Sequence, residues 1–193
     1  MTALKTKIDS KAAFQEGQLL LIEGKFNEGA EAFTRALEAG ADQFQCLLAR
    51  GVAYLRLKES DKAIADFSSA IEKNSSNHRP YYYRGMALMV KGDFQKAVQD
   101  FTKALEFKPG LEFVRFARAV SLSRLGRSDE AMEDFKKVIP AMETNLEAFA
   151  DEYGIVKTEM WRVMNQLTGE AGETPALELN ESEVETLKKW LGE

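Results

Sequence analysis

The 193-residue chain is poor in the side chains that carry most catalysis and cross-linking: it holds one cysteine, Cys46, and one histidine, His78. A lone cysteine excludes an intramolecular disulfide and fits a reducing compartment. Cys46 reads as a small buried hydrophobe and His78, following "SSN", as a solvated loop residue, so a thiol–imidazole dyad is not expected. No GxGxxG or GxxxxGK[ST] pattern and no His/Cys cluster with metal spacing occurs, which predicts no cofactor, no metal and no enzymatic activity. Long apolar runs are missing as well. The longest aliphatic stretch is "LLLI" at 19–22, far below the roughly 20 residues of a bilayer span, and "MTALKTKIDSK" at the start has no apolar stretch of signal-peptide length. These features predict a cytoplasmic chain without direct membrane insertion. A basic surplus is also lacking. Residues 1–140 carry 22 Lys+Arg against 19 Asp+Glu and residues 141–193 carry 4 against 12, so nucleic acid is not an expected partner.

What is present is a folded composition, 45% hydrophobic and 30% charged, which argues against disorder of the whole chain. It is organised by a repeat. "LLARGVAYLRLKESDKAIADFSSAIEKNS" and "YYYRGMALMVKGDFQKAVQDFTKALEFKP" superpose without a gap at an offset of 34. Gly17, Gly51 and Gly85 keep that interval, with Ala119 in the fourth copy. So do Gly29, Ala63, Ala97 and Ala131; Phe33, Phe67, Phe101 and Phe135; and Ala36, Ala70, Ala104 and Val138. Apolar spacing of three and four on both sides of "KGD" makes each copy two amphipathic helices, so the period means a helical solenoid. The glycines have a mechanical reason, since two helices approach closely only where one lacks a side chain and can accept the partner's Phe.

Charge repeats too. Arg50, Arg84 and Arg118 precede the small residue of each first helix, and Asp66, Asp100 and Asp134 precede the Phe of each second helix. The first copy has Glu16 and Ala32 there, losing both together. Joint presence and absence predict that each Arg pairs with the Asp of its own copy.

Tyr81, Gly85, Leu88, Gly92, Ala97, Phe101, Ala104 and Pro109 resemble the tetratricopeptide repeat pattern. The resemblance covers four repeats, 10–43, 44–77, 78–111 and 112–145, with departures at Gly29 in the first and at Ala119 and Glu143 in the fourth. It implies an all-α, right-handed α-α superhelix (TPR solenoid) of four helix-turn-helix units. Residues 146–167 break the period and predict a long capping helix, 168–180 a linker, and 181–193 a short amphipathic helix with Val184, Leu187, Trp190 and Leu191 on one side. That terminal helix is expected to act as a latch.

The resemblance further implies a concave groove lined by the second, fifth, sixth, ninth, twelfth and thirteenth places of each first helix. Its candidate binding residues are Phe14 and Gln18; Leu48, Val52 and Arg56; Arg79, Tyr82, Tyr83, Met86 and Val90; and Phe113, Phe116, Val120 and Arg124. Of the run "YYY", Tyr81 is assigned to the core, while Tyr82, Tyr83 and Met86 are assigned to the open groove. The family's carboxylate clamp for acidic C-termini would need Phe14, Gln18, Ala49, Arg79 and Tyr83 to be mostly Lys, Asn or basic, and only Arg79 fits. Apolar residues at the ninth place, Val52, Met86 and Val120, point instead to an apolar or amphipathic segment of a protein partner. The resulting expectation is an adaptor, scaffold or assembly factor. A self-associating structural protein, joined through the groove or the projecting C-terminal helix, is the competing expectation.

Overall fold

The computed structural model describes residues 9–144. The expected capping helix, linker and terminal latch helix all lie outside these residues. The described part consists of eight helices: α1 (Ser10–Ile22), α2 (Phe26–Glu38), α3 (Gln43–Arg56), α4 (Ser60–Lys73), α5 (His78–Lys91), α6 (Phe94–Phe107), α7 (Glu112–Arg124) and α8 (Ser128–Thr144). Side-chain caps start several of them. Asp42 accepts from the Gln45 N–H at 2.7 Å and Asn77 from the Arg79 N–H at 2.9 Å, each satisfying a donor that has no partner within its helix.

The helices pack as consecutive pairs, and each pair packs on the next, giving an all-α solenoid. Every pair turns in the same way. The N–H groups of Lys25, Glu59, Asp93 and Arg127 donate to the carbonyls of Leu20, Tyr54, Leu88 and Leu122, closing the first helix in a Schellman motif. The residue before each donor is left-handed: Gly24, Gly92 and Gly126 at φ 75°, 85° and 74°, but Lys58 at φ 61°. Lysine at that turn accepts a backbone strain that glycine avoids.

Inside each pair the Gly–Phe contact is as tight as the 34-residue spacing predicts. A Cβ on Gly51 or Gly85 would lie 2.6 Å from Cε1 of Phe67 or Phe101, well inside van der Waals contact. Those phenylalanines and Phe33 are fully buried. Removing the side chain at one residue thus lets the other helix seat a whole ring.

The charge pattern resolves into three forks. Arg50, Arg84 and Arg118 each donate through Nε and Nη2 to both oxygens of Asp66, Asp100 and Asp134 at 2.7–2.8 Å. These bonds, before any other cause, raise the pKa of Arg50 and Arg84 above its usual value. The third nitrogen reaches across the joint to the preceding repeat, donating to Thr34 (2.9 Å), Ser68 (3.0 Å) and Thr102 (3.1 Å). One guanidinium therefore locks its own hairpin and registers it on its neighbour. In the first repeat Glu16 accepts instead from Arg35 at 2.8 Å.

Candidate protein-binding surface

Successive first helices α1, α3, α5 and α7 approach one another more closely along the stack than the second helices do. The array therefore curls with the first helices on its inner side, and their inward places form one continuous surface.

Burial divides the side chains assigned to that surface. Leu48, Tyr82, Met86, Phe116 and Val120 are buried, Met86 being only 6 % exposed, and this corrects the expectation that they stand open in a groove. At the fifth place a ring lies against the phenylalanine of the second helix. Phe116 meets Phe135 edge-on at 5.6 Å and Phe14 meets Phe33 at 5.5 Å. Tyr82 is further closed over by Phe113 of the next first helix, with ring centroids 4.9 Å apart. These five residues are the floor of the concavity and part of the core.

Phe14, Val52, Tyr83 and Phe113 are half-buried, and Gln18, Arg56, Arg79, Val90 and Arg124 are exposed. Tyr83 stacks on Phe67 of the preceding repeat at 5.6 Å, so its ring edge forms part of the inner wall. Tyr81, assigned to the core, packs against it without being fully covered. It is half-buried at the margin of the core, with its ring 5.8 Å from Phe107 and its hydroxyl donating to the Ser75 carbonyl at 3.1 Å. Exposed apolar side chains continue at the open end of the stack, where Leu19 is 56 % and Ile22 83 % accessible.

Some organising contacts lie beyond the sequence reading. Arg56 lies over the ring of Phe26 at 4.8 Å and Arg124 over Phe94 at 5.9 Å, each bringing a thirteenth-place cation back onto the preceding repeat. The Thr34, Ser68 and Thr102 hydroxyls that receive the Arg forks keep the 34-residue interval, and that column of small hydroxyls is the signal that could have revealed them. The two residues of reactive type stay apart in character. Cys46 is fully buried, and burial, reinforced by Asp42, pushes its thiol up to about 11, where it is neither nucleophile nor ligand. His78, expected as a solvated loop residue, is instead the half-buried first residue of α5, its pKa lowered by partial burial and by the charges of Lys108 and Arg79. Among the described residues there is no group of three His, Cys, Asp or Glu able to hold a metal, and no helix long and apolar enough to cross a membrane.

Tetratricopeptide repeat family models match residues 14–78, 78–111 and 114–139. The chain belongs to the tetratricopeptide repeat family. This tetratricopeptide repeat array is similar to solved structures of MamA. One from AMB-1 has 27% identity and a TM-score of 0.63, covering 70% of this chain and 74% of that one. A second AMB-1 structure has 28% identity and a TM-score of 0.62, covering 69% and 78%. A third, comprising residues 41 to the end of MamA from Desulfovibrio magneticus RS-1, has 19% identity and a TM-score of 0.67, covering 73% and 79%, and carries the likeness of fold alone. Among curated proteins none matches in sequence. Membership of this family makes the protein a protein-interaction module.

Proposed function

We propose that the chain is a non-enzymatic adaptor, scaffold or assembly factor whose concave face holds an apolar or amphipathic segment of a partner protein. One observation carries this reading: half-buried Phe14, Val52, Tyr83 and Phe113 are spread over all four first helices, with the accessible Ile22 and Val90 near the ends of α1 and α5. Partly accessible aromatic and aliphatic side chains in one concavity are where an amphipathic helix gains most by burial. The buried floor keeps them rigid, so little ordering cost opposes binding. The fully buried Cys46 suits a reducing cytoplasm.

The test is fluorescence anisotropy with a helical peptide of about five turns that carries a leucine stripe and glutamine elsewhere. Val90→Glu should weaken its binding at least tenfold, because the partner's apolar face must then desolvate a carboxylate. Gln99→Glu, on the outer helix α6, should leave it unchanged. Equal effects of the two substitutions would refute the groove. Self-association is the second reading, favoured by the accessible Leu19 and Ile22 at the end of the stack. Sedimentation over a range of concentrations decides it, a strict monomer removing it.

A further inference from the structure

The inward places of the first helices carry charge of one sign. The six inward places of the four repeats hold twenty-four side chains, among them Lys11, Arg56, Arg79 and Arg124 and no aspartate or glutamate. All four cations are exposed. Their positions are regular: Lys11 and Arg79 take the second place, near the start of α1 and α5, while Arg56 and Arg124 take the thirteenth, at the ends of α3 and α7. Phe14, Val52 and Tyr83 lie between, and Phe113, Ile22 and Val90 share the two rims with the cations. Eleven helical residues separate the two rims, about 16 Å at 1.5 Å per residue, and a helix with its side chains is about 10–12 Å across. The acidic side chains of the first helices are Glu16 and Glu112, outside the inward places, and Glu16 is engaged by Arg35.

From this arrangement we infer that the segment received by the groove is an acidic amphipathic helix of a partner protein, apolar on one side and carrying carboxylates along both flanks. The inference rests on the groove reading above and adds the sign of the partner's charge. A helix seated on Phe14, Val52, Tyr83 and Phe113 directs its flanks toward the two rims. There a carboxylate meets a guanidinium or ammonium, whereas a lysine meets like charge. Arg56 suits this role because it is held over the Phe26 ring, which limits the rotamer freedom lost on pairing. This differs from gripping a terminal carboxylate, because the cations are spread over four repeats and do not converge on one point.

Three peptides with the same leucine stripe and with Glu, Gln or Lys on the polar face test it on the full-length chain by fluorescence anisotropy. The Glu peptide should bind about tenfold more tightly than the Gln peptide, the sum of several individually weak surface pairs, and the Lys peptide more weakly than either. The advantage should shrink between about 50 mM and 500 mM salt as screening shortens from well over 10 Å to a few Å. Arg56→Glu with Arg79→Glu, which leaves Lys11 and Arg124 against two carboxylates, should abolish the preference for the Glu over the Lys peptide while changing Gln-peptide affinity by less than about twofold. Equal binding of the three, or preference for Lys, overturns the charge inference and leaves the groove intact. Failure of all three to bind removes the groove reading itself. Two other outcomes also overturn the partner assignment. Glu-peptide affinity that rises with salt would place the chain's own acidic residues 141–193 in the groove, and a dimer lost on Arg79→Glu would place a second copy there.

Discussion

Substituting Asp100 by alanine removes the acceptor of two charge-assisted hydrogen bonds, from Arg84 Nε at 2.7 Å and Nη2 at 2.8 Å. The two partners are not equally placed. The Asp100 side chain is 9% accessible and the Arg84 side chain 25%, and Arg84 keeps its bond to Ser68 at 3.0 Å and lies over the Tyr81 ring. Breaking a fully buried pair costs about 3–5 kcal/mol because the remaining charge has no compensation. The orphaned Arg84 recovers part of that from Ser68 and from water, so Asp100→Ala should cost about 2–3 kcal/mol. Arg84→Met should cost more, since the more buried Asp100 loses both of its donors. The double variant should be more stable than Arg84→Met alone, with a coupling of at least 1 kcal/mol. Urea melts of the four proteins measure it. Additive losses would refute the claim that the fork is an energetic unit.

Gly85→Ala should destabilise by about 2 kcal/mol or more, because its methyl would stand 2.6 Å from the Phe101 ring, and Phe101→Leu in the same chain should recover part of the loss in thermal melts. Lys58→Gly should raise stability by up to about 1 kcal/mol by relieving the one non-glycine residue with positive φ among the described residues, which denaturant titration checks. Cys46, buried and with its thiol pushed up to about 11, should resist iodoacetamide at neutral pH in the native protein and react readily in urea, as read by mass spectrometry.

The parts of the fold visible in the sequence are those set by strict spacing. Gly51 with Phe67 and Arg84 with Asp100 sit sixteen residues apart in every complete copy, and a hairpin of two helices leaves such pairs one way to meet. Depth was less visible. The family's inward places say which way a side chain points, not how much covers it, and Met86 and Tyr82 are closed over because neighbouring first helices converge on the inner side. Tyr81 reaches the core only at its margin for a related reason. Its ring serves the loop end of the hairpin, against Phe107 and the Ser75 carbonyl, which no helical period encodes. Lys58 shows the opposite limit, a turn geometry imposed by the helix pair on a residue with no preference for it. The Ser and Thr partners of the Arg forks were silent because small hydroxyls recur on any helix surface, and only the reach of an arginine across the joint gives them a role.

Binding to the concave face is tested most directly by where a ligand sits. Titrating the glutamine-faced amphipathic peptide into isotope-labelled full-length chain and following backbone amide shifts by NMR locates it. The shifts should concentrate on α1, α3, α5 and α7, around Gln18, Val52, Tyr83 and Val90, with α2, α4 and α6 little changed. Shifts concentrated on the second helices, or confined to the open end around Leu19 and Ile22, would contradict binding to the concave face.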